Sequence, residues 1–365
     1  MSDNEFSQPR RSLPLVIAGV ALALVVATLA IWLLTQDDDE NDTPAAVGAI
    51  DHLDLSAPFP TGDGGLAYLH LRLEPLSAGE NTIAISFTSS TDGATSVSLP
   101  VETIDISHRS LSLAGESTII EGEPRENGSF VPDDSIQIDP GWTEFRVTIG
   151  LVEGDPRTVS FYAIVPDPNI HGFDSIPRVA TDPDAESWFD LGITRWEQMK
   201  SLKYVERLSH GAGAVTLTQR EVTEAIGASP SASRVLSREF EFITIGDQTW
   251  QRVTGGDWIE RTFIDLFPPS QWPELYAGAS DFALGNLVEY NGRETQIVTF
   301  YVAESETLVA AWYAWWVDTG TGYVVKEAMI SQMHYMVYEF GEFDTPIILD
   351  APIPAATPQS SPSPA

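Results

Sequence analysis

The pattern of apolar positions changes period three times along the chain. Between Leu13 and Leu34 it has none: LPLVIAGVALALVVATLAIWLL is apolar throughout and carries no charge. At about 1.5 Å per residue a helix of this length spans roughly 33 Å, enough to cross a hydrocarbon core of about 30 Å. Arg10 and Arg11 precede the run, and Asp37, Asp38, Asp39 and Glu40 follow it. Basic flanks stay in the cytoplasm. The pattern therefore predicts a single-pass anchor at 13–34 with a cytoplasmic tail, 1–12, and everything beyond outside the cytoplasm. A cleaved signal peptide fits less well, because its apolar stretch is about 7–15 residues and ends in a small-x-small site, which does not directly follow Leu34.

After an acidic spacer, 35–50, the period becomes two. Ala67, Leu69, Leu71 and Leu73 alternate with Tyr68, His70, Arg72 and Glu74, and Ile83, Ile85 and Phe87 repeat the pattern. Further strands are expected at 96–99, 102–106, 110–114, 118–121, 143–151 and 158–165, separated by turn residues such as Asp92-Gly93, Asn127-Gly128 and Asp139-Pro140-Gly141. Short strands at this spacing over 51–165 predict a β-sandwich. A proline-rich linker, 166–181, leads to one helix. Asp182 supplies its N-cap and Pro183 its first position, and Trp188, Leu191, Ile193, Trp196 and Met199 fall along one broad face. Period two then returns at 202–209, 214–223, 234–245, 249–253, 285–290, 294–302, 308–317, 322–340 and 347–349, with a short helix expected within 267–279. A second domain, 182–350, is thus read as a long antiparallel meander. The Pro/Ser-rich end, 351–365, has the composition of a disordered tail.

Two stretches carry family resemblances. LEPLSAGENTIAISF and GSFVPDDSIQIDPGWTEFRVTI, within 65–165, resemble the immunoglobulin-like YtkA/CopC-type domain of bacterial copper-resistance envelope proteins. The resemblance implies an Ig-like sandwich, but no Met-rich or His-rich ligand cluster accompanies it. His70 and His108 stand alone, on faces read as polar. GITRWEQMKSLKYVERLSHG, FEFITIGDQTWQRVTGGDWIE and WVDTGTGYVVKEAMISQMHYMVYEF followed by PIILDAP resemble the LolA/LppX superfamily (LprAFG-type) of envelope lipid and lipoprotein carriers, over 185–352. That implies a curved antiparallel half-barrel wrapped around helices, with an apolar cavity. The expected fold class is mainly β, with an α+β second domain.

The strand LVAAWYAWWV, 308–317, is aromatic on both faces: Trp312, Ala314 and Trp316 point one way, Tyr313, Trp315 and Val317 the other. A strand apolar on both sides must be covered on both. Core explains one face; a cavity, a second domain or a membrane surface could explain the other. In EAMISQMHYMVYEF, Met329, Met333, Tyr335 and Val337 alternate with Ile330, His334, Met336 and Tyr338. Methionine adapts to irregular apolar ligands. The expected cavity residues are Trp250, Trp258, Trp312, Trp316, Met329, Met333, Tyr335 and Met336, with plain core packing as the competing reading of each.

Charge and composition narrow the function. With 19 basic and 53 acidic residues the formal net charge is −34. Asp3, Glu5, Arg10 and Arg11 cancel in the tail, so the whole excess lies beyond the anchor. Such a surface repels nucleic acid and anionic headgroups. With no cysteine there is no disulfide framework, thiolate metal site or lipid-modified N-terminal cysteine. Copper(I) at Met333, His334 and Met336 is disfavoured, since neighbours along a strand point to opposite faces. No G-x-S-x-G, H-E-x-x-H or phosphate-binding glycine loop occurs, and His171 with Asp174 completes no catalytic constellation. The expectation is a non-enzymatic, cofactor-free, membrane-anchored extracytoplasmic protein binding an apolar small molecule or lipid, with an envelope protein as a further class of partner. The alternatives are an envelope copper-handling or stress-related protein, and a structural or sensory ectodomain that docks a partner protein.

Overall fold

The computed structural model describes residues 53–352, apart from short internal stretches of which 211–217 and 262–271 are the longest. The anchor expected at 13–34, with its tail and spacer, lies outside the described residues. Among the described residues, no helix is long and apolar enough to cross a membrane.

The first part is two four-stranded antiparallel sheets. One has the order β1 (Leu53–Pro60), β2 (Leu66–Glu74), β3 (Gly79–Thr88), β6 (Ile136–Ile138). The other has the order β5 (Thr118–Gly122), β4 (Val101–Ser110), β7 (Gly141–Leu151), β8 (Arg157–Val165). Alternation places Leu55, Phe59, Leu69, Leu71, Ile83 and Ile85 of the first sheet in one cluster with Ile104, Ile106, Phe145, Val147 and Ile149 of the second. His70 and His108 correct the expectation of polar faces, since both are buried. His108 shares the inward parity of Ile104 and Ile106, and the His70 ring is bonded to the Thr88 hydroxyl at 2.6 Å. β1 escapes sequence reading because it carries Pro58 and Pro60. They are tolerated because it is an edge strand that pairs only with β2.

After α1 (Pro168–His171) comes α2 (Pro183–Gln198). The cap forms as expected: Asp182 accepts from the Asp184 N–H at 2.8 Å. The buried stripe is Ala185, Phe189, Gly192 and Trp196, rotated from the expected face. Gly192 sets this rotation, because a Cβ there would lie 2.9 Å from Trp315 Cζ3. Only a bare backbone lets the helix sit so close to the sheet.

That sheet is open, antiparallel and eleven-stranded. Its strands are β9 (Leu202–His210), β10 (Thr218–Ala225), β11 (Ala232–Ser237), β12 (Phe240–Ile245), β13 (Gln248–Val253), β14 (Ile259–Arg261), β15 (Ala279–Tyr290), β16 (Arg293–Val302), β17 (Ala311–Asp318), β18 (Val324–Ser331) and β19 (His334–Gly341). Their order is β14-β13-β12-β11-β10-β9-β19-β18-β17-β16-β15, so the first and last strands pair at a central seam. The expected helix in 267–279 is described as α3, Trp272–Leu275. Two expected strands are hairpins instead. The run 234–245 breaks at 238–239, where the Ser237 hydroxyl accepts from the N–H of Phe240 at 3.1 Å. The run 322–340 divides into β18 and β19. The expected strands at 110–114 and 347–349 do not form.

Candidate functional site

β17 is buried at all eight positions, and its two faces meet different partners. Trp312, Ala314 and Trp316, with Ala328, Ile330, Tyr335 and Val337, share a cluster with Trp142, Tyr162 and Ile164 of β7 and β8. The Tyr162 ring meets Trp316 edge-on at 5.5 Å. Of the covers considered for a doubly apolar strand, the neighbouring sheet is the one found on this side. Lys326 lies buried within this layer, 4.9 Å from the ring centres of Tyr162 and Tyr290 and 5.2 Å from that of Trp316. Burial pushes its ammonium pKa down, and Glu144 partly opposes this. Burial alone would raise Glu144, but Arg109, ion-paired to it, and Lys326 outweigh that and hold the carboxyl below its usual range.

The opposite face is filled by the helices. Phe189 stacks on Trp315 with ring centres 5.1 Å apart, and Trp196 meets Trp272 and Phe340 at 5.0 Å each. Glu327 lies beneath them, accepting from the Tyr276 hydroxyl at 2.7 Å and from the Trp315 indole N–H at 2.5 Å. Burial pushes its carboxyl up to about 7 against those two donors. Between β15 and β19 the helix side is therefore solid aromatic core.

Beyond the seam the same face continues with different cover. Pairing register carries it from Phe340 through Tyr204, Val222, Val235 and Phe242 to Gln251. The adjacent row runs Leu202, Glu224, Ser233, Thr244, Thr249. Leu208, Val222 and Val235 are buried but belong to neither large cluster. This apolar stretch, bordered by hydroxyls and one carboxyl, is the candidate site. Glu224 is pushed up to about 8 by burial. Among the described residues, no three His, Asp or Glu side chains are grouped to hold a metal.

The residues singled out from sequence fall in three places. Met329 and Met336 lie on the helix side, Met336 with its sulfur 3.9 Å from the Tyr338 hydroxyl. Trp312, Trp316 and Tyr335 lie on the sandwich side. Trp250 is buried on that outer face, paired with Ile243. Trp258 follows it in the β13–β14 connection, with the Arg252 guanidinium 4.6 Å from its ring centre. Met333 lies outside the described residues. The hairpin between β18 and β19 reverses parity, which puts Met329 and Tyr335 on opposite faces. Glu224 and Glu327 were missed. A Lys-Glu pair inside the otherwise apolar VVKEAMIS was the available signal for Glu327, whereas nothing set Glu224 apart from the other acids.

No protein-family model matches the chain, and no curated protein matches it. Among solved structures it is similar to the lipoprotein LppX of Mycobacterium tuberculosis, with 14% identity over 47% of this chain and 100% of that one and a TM-score of 0.37. It is also similar to LprF of Mycobacterium bovis (9%, 47% and 99%, TM-score 0.39). A LolA-superfamily protein of Nitrosomonas europaea is a third (9%, 45% and 94%, TM-score 0.23). LppX and LolA are the names of the superfamily that the motifs within 185–352 resemble; none of these three bears on the YtkA/CopC-type resemblance of 65–165.

Proposed function

We propose that the chain is a membrane-anchored, extracytoplasmic, non-enzymatic binding protein that holds a lipid acyl chain or similar apolar molecule against the helix side of β9–β13. The supporting observation is a contrast within one sheet face. Under β15–β19 that face is packed by aromatic rings from α2 and the α3 segment. Across β9–β12 it presents Leu208, Val222, Val235 and Phe242 outside that packing. In this reading the sheet works as a half-barrel and the two smaller sheets as an immunoglobulin-like adaptor on its outer face. Native mass spectrometry of the full chain, extracted from membranes, tests it. Lipid adducts are expected on the wild type and should be lost in Val235→Arg at unchanged fold, checked by circular dichroism. A wild type free of adducts sinks the proposal. That result would favour the second reading, a structural or sensory ectodomain, which the solid packing of both faces of β17 supports.

A further inference from the structure

Among the described residues, three buried glutamates face the helix side of the large sheet, and their surroundings differ. Glu327 accepts from two donors. Glu206 receives the Tyr338 hydroxyl at 3.3 Å. Glu224 is 5% exposed, and among the described residues no donor or acceptor reaches its carboxyl. Buried polar groups are nearly always paired, so this carboxyl is open to a hydrogen-bonding partner. Its place in the register is specific. Glu224 lies across from Leu202 and Ser233 and one row from the apolar line of Val222, Val235 and Phe242. Farther along its own row, the hydroxyls of Thr244 and Thr249 are bonded to each other at 3.1 Å.

We propose that Glu224 is the head-group contact of the candidate site, and that the ligand is an apolar chain ending in a neutral, hydroxyl-bearing head such as a monoacyl glycerol. This rests on the binding reading above. The chain would lie along Val222, Val235, Phe242 and Leu208, and a head hydroxyl would pair with the Glu224 carboxyl. The chemistry follows from the surroundings. Burial pushes Glu224 up to about 8, so near neutral pH the group is mainly a protonated acid, with one donor and one acceptor. A hydroxyl answers both, while an ester oxygen only accepts. Ser233, Thr244 and Thr249 bring no charge to balance an ionic head.

The test uses the full chain in phosphatidylcholine nanodiscs. Two photoreactive probes with the same diazirine acyl chain compete, one a monoacyl glycerol and the other a methyl ester. Intact mass and peptide mapping give the ratio of glycerol to ester adducts within 202–261. Comparing variants cancels the probes' different partitioning into the disc. The ratio is expected to fall about tenfold in Glu224→Leu, the scale of one buried hydrogen bond, and to hold in Glu224→Gln, which keeps a neutral donor and acceptor. An equal ratio in wild type and Glu224→Leu, or an equal fall in Glu224→Gln, overturns the head-group assignment while leaving the apolar site standing. No adduct in this region for either probe removes the site and the assignment together.

Discussion

At the scale of single residues, buried acids are divided by their partners. Burial raises Glu224 and Glu327 from the ordinary carboxylate value of 4.5 to about 8 and about 7. Between those values the native state holds protons that the unfolded chain has released, so each group's contribution to stability falls as pH rises through that window. Glu224→Leu should therefore raise the thermal midpoint, by an increment that grows from pH 5 to pH 8. A midpoint difference that shrinks over that range would contradict the burial of this carboxyl. Glu144 has the opposite sign. It is held low by Arg109 and Lys326 against the pull of burial, so its contribution is present above the ordinary carboxylate range and lost as pH drops below it. Arg109→Met would leave Glu144 buried without its direct ion pair and should cost about 3–5 kcal/mol, measured by urea unfolding at neutral pH.

At the scale of elements, each layer rests on a few side chains. Trp316 is 1% exposed and bridges β17 to Tyr162 of β8. Trp316→Ala should cost about 3–5 kcal/mol, read as an earlier midpoint in chemical unfolding. Gly192→Val should loosen α2 from Trp315 and show as lost near-ultraviolet ellipticity from the aromatic cluster, with little change in strand signal. Elements with strong local marks were legible in the sequence. The cap at Asp182, the alternation of β2 and β3 and the two apolar faces of β17 all follow from local chemistry. Hairpins without glycine, proline or asparagine were not legible, because the turn at 238–239 depends on one serine hydroxyl. Those misses propagated to the site. Alternation assigns a side chain to a face only within one strand, so joining β18 to β19 misplaced Tyr335 relative to Met329. What covers each face depends on contacts far along the chain, which no local pattern records.

At the scale of the whole molecule, the layers run sheet, sheet, eleven-stranded sheet, helix. Strands β16 to β18 lie inside this stack. β10 to β14 reach beyond it, with β14 exposed at all three positions. Hydrogen exchange should follow that division, slowest in β16–β18 and faster by orders of magnitude in β12–β14. Uniform protection across the sheet would contradict the division on which the candidate site rests.

The seam between β9 and β19 has a consequence in time as well as in space. The large sheet consists of two meanders, and among the described residues they join through the pairing of residues 203–210 with 334–341. Until β19 is available the meanders are separate pieces with open edges, and closing them requires a loop of more than a hundred residues. A chain emerging N-terminus first cannot complete this sheet before its last strand arrives. Joining of the β9–β14 half to the rest of the sheet is thereby deferred until residues 334–341 have been delivered, and loss of β19 would divide the sheet at its middle.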